Sequence, residues 1–245
     1  PQPELAQAAH DLCRAHSVFH WWLAFPQVAA KGGFAVMLGN PPWERIKLQE
    51  EEFFATRSPL VAAAKNKAGR AKRIELLRQG LLLHTLYPDV EAAEGLSPPN
   101  RAEMRLHEDF IAARRGAEAA SLYAHDSGRY PLTGVGDVNT YALFAETFSQ
   151  LINVGGRAGF IVQSDIALAD SCKAYFASIS EGGRVKSLHD FMNLERLFPH
   201  IDTRNPRFCL LTLGSPSAME SATFSFGNTN TGHLLDSRRQ FTLSP

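Results

Sequence analysis

The sequence predicts an α/β fold, part of an open sheet into which a helical segment is inserted. Three observations carry that reading. Short apolar runs alternate with stretches of helical period on both sides of residues 44–129. The run Phe34 to Leu38 (FAVML) is continuously apolar, as in a parallel strand covered on both faces. From Glu44 to about Arg129 the composition turns to Lys, Arg, Glu and Ala, with few strand signals.

Taken in order, residues 4–16 have helical spacing and lead into an aromatic cluster of Phe19, His20, Trp21, Trp22 and Phe25. The two tryptophans read as packing between helix and sheet. Gly32-Gly33 make a turn, FAVML a strand, and Gly39-Asn40-Pro41-Pro42-Trp43 stop it, because neither proline has an N–H to give a ladder. After the insertion, broken at Ser97-Pro98-Pro99-Asn100, residues 130–138 return to the core. Asn139 is expected to cap a helix whose apolar stripe is Tyr141, Leu143, Phe144, Phe148, Leu151 and Ile152. Gly155-Gly156 are expected to end that helix, with a second strand from Ala158 to Val162. A helix over about 169–180 and strands at 185–192 and 207–213 follow, the strands joined by a loop holding Phe198 and Asn205-Pro206. The expected organisation is a core of residues 1–43 and 130–215 and an insertion of residues 44–129. Residues 216–245 begin a following segment.

Composition narrows the function classes. Formal net charge is zero over 245 residues, so any contact with a polyanion must come from a local patch. Cys13, Cys172 and Cys209 are far apart with no CxxC spacing, which fits a reducing cytoplasm and excludes a zinc knuckle. No apolar run approaches the length of a membrane span, and no signal peptide opens the chain. His16 and His20 could share a helix face, but no third ligand follows, so no metal is expected.

Asn40-Pro41-Pro42-Trp43 is the most informative feature, because ligands of open α/β sheets bind at the carboxyl ends of strands. The Asn40 side-chain oxygen and the Pro41 carbonyl can converge on one amino group, and the prolines hold that backbone ready. Trp43 offers a flat apolar face for a planar group. Such a corner suits an exocyclic amine, whose ring-delocalised lone pair becomes nucleophilic when two acceptors draw its hydrogens. As a plain alternative, Asn-Pro and Pro-Pro are common loop punctuation.

These residues resemble the catalytic loop of amino-methyltransferases that carry an (N/D/S)PP(Y/F/W) motif. The run FHWWLAFPQVAAKGGFAVMLGNPPWERIKLQEEEFFA is similar to the large bacterial DNA adenine-N6 methyltransferases of type IIG-like restriction–modification and phage-defence systems. The similarity continues in DVNTYALFAETF, GGRAGFIVQSDIA and LERLFPHIDTRNPRFCLLTL. It implies a partial Rossmann-like class I methyltransferase sheet and S-adenosylmethionine as cofactor. It further implies double-stranded DNA with a flipped adenine as partner, and in that family a nuclease or other defence domain is often fused or associated. Asn40, Pro41, Pro42 and Trp43 match the catalytic loop, and Asn40 lies where the family's loop also meets the cofactor. Phe144 matches an aromatic against the cofactor's adenine, and Phe198 one that packs on the target base opposite Trp43. The family's Gly-rich cofactor loop and ribose-holding acid are expected upstream of residue 1, so these residues alone are expected to be inactive. Ala35 and Gln163-Ser164 depart from the family's usual Asp and Pro-Ser/Thr.

The insertion holds Lys65, Lys67, Arg70, Lys72 and Arg73, candidates for DNA phosphates, although such a run is more often a solvated helix face. Two rivals stand beside the methylase reading. One is a protein-glutamine N5 methyltransferase, whose compactness fits poorly with a long insertion. The other is a non-catalytic DNA-binding or assembly module.

Overall fold

The computed structural model describes residues 3–95, 97–199, 207–216 and 221–244. The chain forms two compact units, residues 1–41 with 144–245 and residues 42–143. The longer helices are α1 (Pro3–Ala15), α2 (Lys67–Gln79), α3 (Arg101–Asp126), α4 (Thr140–Leu151) and α5 (Lys173–Glu181).

The first unit is built on a six-stranded sheet of β1 (Phe34–Gly39), β2 (Ile152–Gln163), β3 (Val185–Phe191), β4 (Phe208–Gly214), β5 (Ala222–Asn228) and β6 (Phe241–Leu243). Their spatial order is β1-β2-β4-β3-β5-β6. β1 runs parallel to β2 and β3 to β5, whereas β4 is antiparallel to both its neighbours and β6 to β5. The sheet is therefore mixed, with β1 as a parallel edge strand. Alternation is clearest on β2, where Ala158, Phe160 and Val162 are buried in turn. Tyr175 and Ile179 of α5 are buried as well, as are Leu188 and Phe191 of β3 and Cys209, Leu211 and Leu213 of β4.

Glycine permits the entry into β1. Gly33 sits at φ 132°, and a Cβ there would lie 2.4 Å from the Leu151 carbonyl oxygen. Only a bare backbone can pass so close to the junction of α4 and β2. On one face of β1, Gly39 meets the Phe148 ring at about 3 Å from where a Cβ would stand. On the other, Phe34 packs against Trp21 and Phe25 with ring centroids 5.7 and 5.4 Å apart, as the sequence predicts for the aromatic cluster. Val36 and Leu38 share the Phe34 face yet are 60% and 78% exposed, so the strand forms as expected but its expected covering on both faces is not found among the described residues.

The second unit is helical. Its core gathers Phe53, Phe54, Val61, Leu77, Leu82 and Phe110, and a smaller cluster holds Ala124, Val138 and Leu143. Its helix ends are satisfied locally. The Asn66 side chain accepts from Gly69 N, Gly80 ends α2 in the left-handed region, and Asn100 accepts from Ala102 N and Glu103 N. The Glu103 carboxylate accepts from Leu82 N and Leu83 N, both at 2.8 Å, and so caps the short helix Leu82–Leu86.

Four expectations change. Gly155-Gly156 do not end a helix: β2 begins at Ile152, and the pair lies where its register with β1 slips between Phe34 and Val36. The expected helix over 169–180 is two pieces, a 3₁₀ turn at Asp170–Cys172 and α5, with a separate short helix, Asp165–Leu168, before them. Asn139 does not cap α4 through its side chain, whose Oδ1 is buried without a partner; its carbonyl accepts from Ala142 N and Leu143 N instead. Beyond residue 215 the sheet continues, since β5 pairs with β3. Asn205-Pro206 lie outside the described residues.

Candidate active site

β1 delivers Asn40 and Pro41 at its carboxyl end, in the first unit. Pro41 is buried and Asn40 exposed. Among the described residues the Asn40 side chain takes up no hydrogen-bond partner. Its amide is therefore open to an incoming group, not committed to the core. Pro42 and Trp43 belong to the second unit, where Trp43 is half-buried.

Thr140 fixes the second half of the loop, and sequence reasoning missed it. Its hydroxyl donates to the Pro42 carbonyl at 2.7 Å and accepts from Glu44 N at 3.1 Å, while Thr140 N donates to the Glu44 carbonyl at 2.9 Å. The Glu44 oxygen also lies 3.0 Å from the hydroxyl, but one proton serves one strong acceptor, and the shorter contact takes it. An antiparallel bridge of Arg45 with Asn139, Ile46 N on the Val138 carbonyl, and an Arg45–Asp137 ion pair of 3.3 Å extend the pairing. Trp43 is thus bracketed on both sides by groups bonded to the first residue of α4. The available signal was the Asn-Thr pair at a helix start, of which only Asn139 was weighed.

Phe144 follows on α4, 39% exposed, with its ring edge-on to Phe148 at 6.0 Å. On an otherwise buried stretch from Tyr141 to Ser149 it is an outward-facing ring. Phe198 is half-buried in the loop after β3. Its backbone is held by the side chain of Asn193: Asn193 Nδ2 donates to the Phe198 carbonyl and Phe198 N donates to Asn193 Oδ1, each at 2.9 Å. Its ring meets Phe208 at 5.0 Å and 82°, and Phe208 in turn stacks on Phe191 at 5.3 Å and 7°. Asn193 is itself 1% exposed.

A polar network lies under the same end of the sheet. Asp190 accepts from Ser164 Oγ at 2.7 Å and Gly227 N at 3.0 Å, and is paired with Arg207. His189 Nδ1 and Ser225 Oγ are 2.8 Å apart, and burial pushes the His189 imidazole below its ordinary range.

The basic cluster of the insertion divides. Arg70 has a side chain only 10% exposed and is paired with Glu50 at 3.1 Å and Glu51 at 2.7 Å, which hold its guanidinium charged. Arg73 donates to the Leu60 carbonyl. Arg70 is thus drawn into the unit's own structure by two carboxylates, which weakens it as a phosphate contact, whereas Arg73 spends one N–H on a backbone carbonyl. Lys65, Lys67 and Lys72 are exposed.

As to a cofactor, the residues present fit only a part of S-adenosylmethionine. Phe144 presents a ring face suited to a planar adenine, and Asn40 an open amide. The glycines ahead of β1 do not form a cradle: a Cβ on Gly33 would strike backbone, and Gly32 faces open space. Among the described residues no group of three His, Cys, Asp or Glu side chains could hold a metal. None of their helices is long and apolar enough to cross a membrane.

No protein-family model matches the chain, and no curated protein matches it. Solved structures similar to parts of it include the methyltransferase subunit of a type I restriction-modification system from Streptococcus thermophilus. That match has 12% identity and a TM-score of 0.35, and covers 49% of this chain and 28% of that one. The type IIG restriction endonuclease BpuSI matches at 14% identity and a TM-score of 0.37, over 55% of this chain and 17% of its own. A Listeria monocytogenes protein proposed to be a class I S-adenosylmethionine-dependent methyltransferase matches at 12% and 0.33, over 66% and 58%. The chain thus spans less than two thirds of each of these structures.

Proposed function

We propose that these residues are the target-base half of an S-adenosylmethionine-dependent DNA adenine-N6 methyltransferase of a restriction–modification or phage-defence system. The observation that carries the reading is Asn40-Pro41-Pro42-Trp43 at the carboxyl end of a parallel strand, with the Asn40 amide open and the segment around Trp43 pinned by Thr140. Asn40 Oδ1 and the Pro41 carbonyl accept the two hydrogens of the adenine N6 amine. This draws the lone pair out of ring conjugation and turns it towards the methyl donor. Trp43 and Phe198 offer aromatic faces to the extruded base, returning part of the few kcal/mol that unstacking costs. The cofactor, when bound, supplies an electrophilic methyl group. Phe144 is assigned to its adenine face. The proton left on the methylated nitrogen passes to water, so no dedicated base is required.

The Gly-rich cofactor loop is assigned to polypeptide upstream of Pro1. Among the described residues β1 pairs with β2 alone and leaves Val36 and Leu38 exposed, which supports that assignment, since parallel strands are normally covered on both faces.

The test is to incubate the chain, alone and joined to the sequence encoded upstream of Pro1, with duplex DNA and methyl-labelled cofactor. Label in N6-methyladenine from the joined form supports the reading. Label in protein glutamine, or none in either form, overturns it.

A further inference from the structure

We propose that the groove beside Trp43 in the second unit seats the phosphodiester strand flanking the target base, through Lys47 and Arg57. This rests on the reading of Trp43 as the face that receives the base. The groove has a volume of about 1000 Å³, with Trp43, Lys47, Phe53 and Arg57 among its walls. Its floor includes Ala113 and Ala117, one turn apart on α3, whose short side chains leave the space unfilled. Phe53 belongs to the buried core, so that wall is rigid.

Charge separates this groove from the cluster on α2. Arg70 is consumed by Glu50 and Glu51, whereas among the described residues neither Lys47 nor Arg57 has a carboxylate partner. Arg57 is nonetheless fixed in place. Its guanidinium lies 4.4 Å from the centre of the Phe53 ring and donates to the Phe53 carbonyl at 3.0 Å, leaving further N–H groups for a ligand. Arg45 also lines the groove, but its charge is shared with Asp137. Glu44 and Glu52 lie on the same walls and oppose an anion. Two cations without acidic partners beside the Trp43 ring match a nucleic-acid strand better than an acidic peptide, which gains nothing from an aromatic face.

The experiment titrates the whole chain against a fluorescently labelled duplex carrying one unpaired adenine and follows anisotropy from 50 to 300 mM NaCl. The expected result is that Lys47→Gln with Arg57→Gln weakens binding roughly tenfold and lowers the log–log salt slope by about 2. Ala117→Phe, which fills the floor, weakens binding, and Glu52→Gln strengthens it. Wild-type slope and affinity in the double variant and in Ala117→Phe, with both folded by circular dichroism, overturn the proposal. So does displacement of the DNA by polyglutamate at equal charge concentration. The outcome is separable from the methylation reading. If Asn40→Ala methylates normally while the double variant loses binding, the catalytic assignment falls and the groove stands. The converse result removes the groove alone.

Discussion

Asn193 holds Phe198 by both ends of its amide, donating to the Phe198 carbonyl and accepting from Phe198 N, each at 2.9 Å. No other side chain type of that length offers a donor and an acceptor side by side. The loop after β3 is therefore set by a group that is itself 1% exposed, with the ring lodged on Phe208.

Replacing Asn193 by Ala should release Phe198 and cost about 1–3 kcal/mol of stability, the usual penalty for stranding buried backbone partners. In a methylating form of the protein, a 2-aminopurine placed at the target position should then show altered stacking fluorescence. Asn193→Asp, which keeps the acceptor alone, should fall between. Unchanged fluorescence in a folded Asn193→Ala protein would separate the clamp from base binding.

Thr140 is expected to act on Trp43 through the backbone, without touching substrate. Thr140→Val removes the hydroxyl that bonds Pro42 and Glu44, and should lower kcat roughly 10- to 100-fold by letting the loop drift. KM for the cofactor should change little. Thr140→Ser keeps the hydroxyl and should restore most of the rate. Equal loss in both variants would indicate a packing role for the methyl group instead.

Gly33→Ala should destabilise the first unit by at least about 2 kcal/mol, since the new Cβ meets the Leu151 oxygen and φ 132° is closed to alanine. Gly32→Ala, at φ 75° but facing open space, should cost less. Urea midpoints of the two variants measure the difference.

How much of this could be seen in the sequence depends on which interactions were local. β1 was legible because FAVML is a continuous apolar run and two prolines end it. The aromatic cluster around Trp21 was legible for a similar reason. Gly155-Gly156 misled because a glycine pair reads as a turn, whereas here it accommodates a register slip against Phe34, a partner more than 100 residues away. β5 was missed because its pairing with β3 is long-range and its pattern short. At the site, Asn40 to Trp43 announce themselves by residue type. Thr140 and Asn193 do not: each matters through a partner chosen by the fold, and so does Arg70, whose pairing with Glu50 and Glu51 no local pattern announces.

Acidification should weaken the fold through His189. Burial lowers its folded pKa, so the unfolded chain binds the extra proton more readily. The stability this histidine contributes is complete above an unfolded pKa of about 6.5 and is lost as pH falls below it towards the folded value. His107 shifts in the same direction, by burial and by Arg78. Urea midpoints at pH 8 and pH 5 should therefore show a drop that is smaller in His189→Gln.

The most direct measurement is single-turnover methylation of an adenine-containing duplex by Asn40→Ala, in the protein joined to its upstream sequence. The account predicts a loss of at least about 100-fold in the rate of methyl transfer, the scale for removing one preorganised polar group at a reacting centre. The duplex should still bind, and the unfolding midpoint should not move. Methyl transfer at the unaltered rate would contradict the account, because Asn40 would then not hold the amine.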